Sequence, residues 1–115
     1  MDDVAEQLAG WGQVARLCTR GRSSGRTVEV AVGFLEEPDG SILVAAGATD
    51  ADWALNIVAD PDCTVIVGDE TRACRAEPLD GADRARVVRE LILRYGTPAE
   101  RLGPGPAFRL RPVPA

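Results

Sequence analysis

Between two strand-like runs the chain carries Thr19-Arg20-Gly21-Arg22-Ser23-Ser24-Gly25-Arg26-Thr27-Val28. A stretch with three arginines and two glycines in ten positions cannot be core. It has to be a surface connector, so any fold available to this chain must deliver one strand into it and take the next strand out. Arginine supplies planar, permanently charged donors, glycine removes the Cβ that would block close approach, and Ser and Thr add short donors. Two readings follow. One is a solvated turn with incidental charge. The other is a loop that holds an anion such as a phosphate.

The rest of the composition sharpens that contrast. The chain has 115 residues, which predicts a single domain over 1–115. Its formal net charge of −5 disfavours nucleic acid as a partner, because no excess of cations would drive counterion release. The basic loop is a local exception in an acidic protein. There is no histidine, and all 13 basic residues are arginine. The commonest general base, the histidine-assisted nucleophiles and lysine Schiff bases are therefore excluded. Cys18, Cys63 and Cys74 lack metal-ligand spacing, so no metal is expected. No signal peptide or membrane-length apolar run is visible. The expectation is a cytoplasmic protein with reduced thiols.

Residues 2–11 read as a short helix with Val4, Leu8 and Trp11 on one side. A strand is predicted from Gln13 to Thr19. Thr27 to Leu35 is the clearest strand, with Val28, Val30, Val32 and Phe34 on one face. Pro38-Asp39-Gly40 is turn chemistry and leads into Ser41–Ala46, apolar on both faces. From Asp50 to Asp60 the period changes to helical, with Thr49 or Asp50 as cap and Pro61 as stop. Gly68-Asp69 fits a two-residue hairpin loop joining Asp62–Val67 to Glu70–Glu77. That turn places Cys63 opposite Cys74 in a hydrogen-bonded pair, where side chains stand further apart, so two free thiols are expected. Asp80–Gly96 reads as a long helix with Ala82, Ala85, Val88, Leu91, Ile92 and Tyr95 on its apolar face, and with a Glu90–Arg94 pair. A last strand spans Ala107–Val113. The order predicts a mainly β fold with α (α+β): a six-stranded antiparallel barrel with about three helices.

With no acid–base or metal constellation in view, any redox chemistry would be carried by a bound cofactor. Gly21-Arg22-Ser23-Ser24-Gly25 followed by Arg26-Thr27-Val28 is similar to the signature of the deazaflavin-dependent nitroreductase family. Trp53-Ala54-Leu55-Asn56-Ile57-Val58-Ala59-Asp60-Pro61 resembles that family's second block. The resemblance runs from about Val14 to Val113 and implies a split β-barrel of the FMN-binding type. It implies an actinobacterial oxidoreductase that uses reduced deazaflavin coenzyme F-420 to pass a hydride to a quinone, nitroaromatic or enone-like molecule. By position, Arg22, Ser23, Ser24, Gly25, Arg26 and Val28 would line the coenzyme's phosphate and ribityl path. Trp53 and Asn56 would wall the cleft, and Tyr95 would face the substrate. Split barrels commonly pair through strand faces, which puts a homodimer among the expectations. The chain departs from the family at Ser23, where lysine is usual, and before Trp53, where Asp50 and Asp52 replace lysines. These departures keep two alternatives in play: a coenzyme-free barrel for a small hydrophobic metabolite, and an FMN binder.

Overall fold

A computed structural model describes residues 14–47, 50–95 and 105–113, with the side chain of Tyr95 outside the description. The predicted helix over 2–11 lies outside the described residues.

Seven strands form one antiparallel sheet: β1 (Val14–Arg20), β2 (Thr27–Gly33), β3 (Leu35–Glu36), β4 (Ile42–Ala45), β5 (Asp62–Val67), β6 (Glu70–Leu79) and β7 (Ala107–Pro112). Two helices accompany them among the described residues, α1 (Asp52–Ala59) and α2 (Gly81–Tyr95). Across the sheet the order is β2-β1-β5-β6-β7-β4-β3. The two outermost strands, β2 and β3, are separated in sequence by Phe34 alone. One run of chain therefore forms both margins of the sheet, which curls round to meet itself. This corrects the expected strand count of six. The predicted Thr27–Leu35 strand breaks at Phe34 because its first part pairs with β1 and its last part with β4. A single straight strand cannot serve both neighbours of a closing sheet.

The two-residue turn fixes the β5–β6 register as expected, Val67 opposite Glu70 and Cys63 opposite Cys74. Inside the curl, Leu17, Val65, Ile42, Val44, Phe108 and Leu110 pack in one buried cluster. Burying each such large side chain contributes about 1.5–3 kcal/mol before entropy is counted. A second cluster joins Leu43, Ala45 and Ala107 to Val87, Val88 and Leu91 of α2. β4 is thus buried on both faces, as its unbroken apolar run requires.

The apolar face expected for α2 is rotated. Ala82 and Ala85 are exposed, while Val87 joins Val88 and Leu91 in the core. The docked stripe runs through Arg84, whose Nε donates to the Gly105 carbonyl at 2.9 Å. The face with the larger apolar side chains, Val87, Val88 and Leu91, docks instead, since it buries more apolar area than two alanines can. Glu90 accepts from Arg86 Nη1 at 2.9 Å, one turn before the expected Arg94. The Arg94 guanidinium lies 4.9 Å over the Phe34 ring. At α1 the expected Asp50 cap is not formed: Ala51 holds the N-cap position with no side-chain cap bond. Thr49 lies outside the described residues. The far end behaves as predicted, with Asp60 extended before Pro61.

Candidate functional site

The basic loop, residues 21–26, is a closed turn. Gly25 N–H donates to the Gly21 carbonyl and Gly21 N–H to the Arg26 carbonyl, both at 2.8 Å. Arg26 N–H donates to Ser24 Oγ at 3.1 Å. Gly25 sits at φ +72°, where a side chain is strained. A Cβ on Gly21 would lie 2.7 Å from Ser24 Oγ and 3.2 Å from the Arg26 carbonyl. Gly25 is thus demanded by its backbone angle, while a side chain at Gly21 would crowd the turn. The Ser23 and Ser24 N–H groups have no protein partner among the described residues. They are the backbone donors this turn leaves for something else.

Helix α1 fixes the loop from the side. Asn56 Oδ1 accepts from both the Arg22 backbone N–H (3.2 Å) and Arg22 Nη1 (2.8 Å). Asn56 Nδ2 donates to Thr19 Oγ1 at 3.2 Å. Asn56 and Thr19 are buried, so this amide joins the end of β1, the loop and the helix in one satisfied network. Arg22 Nη1 also donates to the Asp52 carbonyl, and Nη2 to Asp52 Oδ1, each at 3.2 Å. Asp52 and Asn56 are four apart on α1, one turn above another on the same face.

Beside the loop opens a cavity of about 580 Å³. Arg20, Gly25 and Thr27 form one wall, Asp60 and Asp62 another, and all three cysteines reach it. Burial pushes the Cys63 thiol up to about 12, reinforced by Cys74 and then by the Asp62 charge. Burial also raises Cys74. Burial and the neighbouring Glu29 carboxylate raise Cys18. These thiols are protonated near neutral pH and so are poor nucleophiles. No group of three or more metal-ligating side chains occurs among the described residues.

The structure brings together some of the residues singled out in the sequence and separates others. Arg22 and Asn56 meet directly. Ser23, Ser24, Gly25 and Arg26 form the exposed turn. Val28 follows at the start of β2, 41% exposed. Trp53 instead stacks edge-on against Phe108, 5.9 Å between centroids, and packs on the barrel core. Tyr95 ends α2, and its side chain lies outside the description. Asp52 and Thr19 were not singled out as site residues. The spacing of Asp52 and Asn56 on one helix face is the signal that could have found Asp52. Arg20 and Arg26 carry no carboxylate partner among the described residues.

A curled antiparallel sheet with a loop–helix clamp at its first turn defines a split-barrel protein. Solved structures of similar fold include the heme storage protein HutZ of Vibrio cholerae (TM-score 0.74, 19% identity, 96% of this chain and 88% of that one). They also include an F420-H2 dependent reductase, FDR-A (TM-score 0.72, 23% identity, 86% of this chain and 94% of that one). A third is a domain-swapped dimer (TM-score 0.69, 22% identity, 92% of each chain). No functionally curated protein matches the chain. The chain belongs to the F420H(2)-dependent quinone reductase family, whose model matches residues 2–101. Among the described residues, no helix is long and apolar enough to cross a membrane.

Proposed function

We propose that this protein is an oxidoreductase that binds reduced F-420 with the 21–26 loop against the coenzyme's phosphate. It would pass the hydride to a quinone or a related electron-poor small molecule. The observation that carries this is the Asn56 clamp. A buried amide holds the Arg22 guanidinium, and the next two residues, Ser23 and Ser24, have backbone N–H groups with no protein partner among the described residues. A held cation in the same short loop as unspent backbone N–H groups is the donor set that a phosphate site uses. The family to which the chain belongs gives the coenzyme its identity.

When bound, the reduced coenzyme supplies a hydride. The chain's own work is to bind and orient. Arg22 and the Ser23 and Ser24 N–H groups would meet the phosphate, Arg26 would add an exposed charge, and Gly25 would let the ligand approach the backbone. Val28 would flank the ribityl path. Trp53, seated on Phe108, would give that wall rigidity without reaching far into it. Tyr95 would face the acceptor. In this reading the raised thiols suit an electrophilic acceptor, because mostly protonated cysteines add to a quinone slowly. The domain-swapped relative makes a homodimer the oligomer to look for in solution.

Titration of the purified protein with F-420, followed by quenching of coenzyme fluorescence, tests the reading. Binding at low micromolar concentration is expected. Arg26→Ala should weaken it roughly tenfold, the loss of one charge-assisted contact, with unchanged thermal unfolding. No quenching at tens of micromolar would leave a barrel that works without this coenzyme.

A further inference from the structure

Arg22 has a carboxylate partner, which Arg20 and Arg26 lack among the described residues. Asp52 Oδ1 stands 3.2 Å from Nη2, an ion pair within the candidate phosphate site itself. The two halves of the Arg22 environment differ in kind. Asn56 is neutral, buried at 3% exposure, and tied to Thr19 as well. The Asp52 side chain is 86% exposed. An amide clamp of the first sort fixes the guanidinium in place. A carboxylate so open to water is held by little and can be turned away. While it stays, it neutralises the charge that an incoming phosphate would use, and its own charge repels that phosphate.

We propose that Asp52 is the residue that sets the loop's affinity for phosphate, by occupying Arg22 as an internal substitute for the anion. The proposal rests on the reading of the loop as the coenzyme's phosphate site. Binding then becomes an exchange: Asp52 leaves Nη2, the phosphate takes its place, and Asn56 keeps Nη1 oriented throughout. An anion that meets only the guanidinium, such as chloride, would fail to displace Asp52. A phosphate, whose oxygens can meet the guanidinium and the loop's N–H groups together, would succeed. The site is thereby tuned towards phosphate-bearing ligands and against chloride.

Asp52→Asn is the test. The asparagine oxygen can still accept from Nη2, so the loop keeps its support while the charge is gone. F-420 binding is read by fluorescence quenching, and inorganic pyrophosphate binding by the shift in thermal unfolding. Asp52→Asn should bind both roughly two- to fivefold more tightly than wild type, the scale of one exposed charge pair. The gain should vanish in the Arg22→Ala background, since the effect passes through that guanidinium. Equal or weaker binding by Asp52→Asn overturns the proposal. So does an equal gain in the Arg22→Ala background, which would mark a general field effect of net charge. Tighter pyrophosphate binding without any F-420 binding would uphold the role of Asp52 while rejecting the coenzyme.

Discussion

Arg22 and Arg72 each tie a turn of this sheet to a neighbouring element, yet they are finished to different degrees. Arg72 braces the β5–β6 hairpin against the β3–β4 hairpin. Its Nε and Nη2 grip Glu70 at 2.7 and 3.2 Å, and Nη1 reaches Glu36 at 3.2 Å and the Gly40 carbonyl at 3.4 Å. Every nitrogen is spent, on two carboxylates for one positive charge, and the side chain is 18% exposed. Arg22 is 37% exposed and meets one carboxylate, a carbonyl and a neutral amide. Its Nε has no partner among the described residues. Arg72 is overcompensated and closed to further anions. Arg22 is oriented but not overcompensated, which is the state a binding cation needs. The same residue type thus makes a strut where carboxylates surround it, and a receptor where a buried amide holds it.

The sharpest way to break this comparison is to remove the amide. Asn56→Ala leaves buried Thr19 Oγ1 and the part-buried Arg22 backbone N–H without their partner. Unsatisfied groups of this kind cost about 1–3 kcal/mol, and the loop loses its anchor as well. Urea unfolding should show a loss of about 2–3 kcal/mol, and F-420 quenching should be lost with it. Retained binding in Asn56→Ala would show that the coenzyme does not depend on a pre-oriented Arg22.

Arg72→Met is the counterpart at the strut. Methionine keeps much of the apolar stem while deleting the ion pairs. Exposed and half-exposed pairs contribute little, so a loss of about 1 kcal/mol is expected by urea unfolding. F-420 affinity should stay at the wild-type value. A weaker coenzyme affinity in Arg72→Met would join the two regions and remove the contrast between them.

How much of this contrast the sequence reveals depends on the reach of each interaction. The Gly68-Asp69 turn dictates the Cys63–Cys74 register because only two residues intervene, and turn geometry propagates along a ladder. The basic loop is legible as a loop, since its composition forbids burial. What each arginine does there is not legible. Asn56 lies 34 residues from Arg22, and nothing local distinguishes the clamped Arg22 from the unclamped Arg26. The break at Phe34 is hidden too, because the alternation of Val28, Val30, Val32 and Phe34 continues through it. Only closure of the sheet demands a change of partner there. On α2 the periodicity admits more than one face. Docking against Leu43 and Ala107 chooses the stripe through Arg84, Val87 and Leu91 over the one through Ala82 and Ala85.

Acid should separate the two regions with the smallest effect of the set. Arg72 beside Glu70, through their hydrogen bonds first and their charges second, holds the Glu70 carboxyl below its ordinary value of 4.5. A carboxylate whose value is depressed on folding adds stability above its unfolded value. That contribution is lost as pH falls from about 4.5 through the depressed value, because the folded strut must then take up a proton it disfavours. Glu70 is on the surface, so solvent screens the pair and the change is slight. Asn56 has no proton to gain, and its bonds to Arg22 and Thr19 should persist through the same range. Amide exchange read by NMR between pH 5 and pH 3, corrected for intrinsic rates, should show faster opening at the β5–β6 turn. The Arg22 and Arg26 amides should keep their protection. Equal loss in both places would mean that the loop is held by charge after all, through Asp52 and not through Asn56.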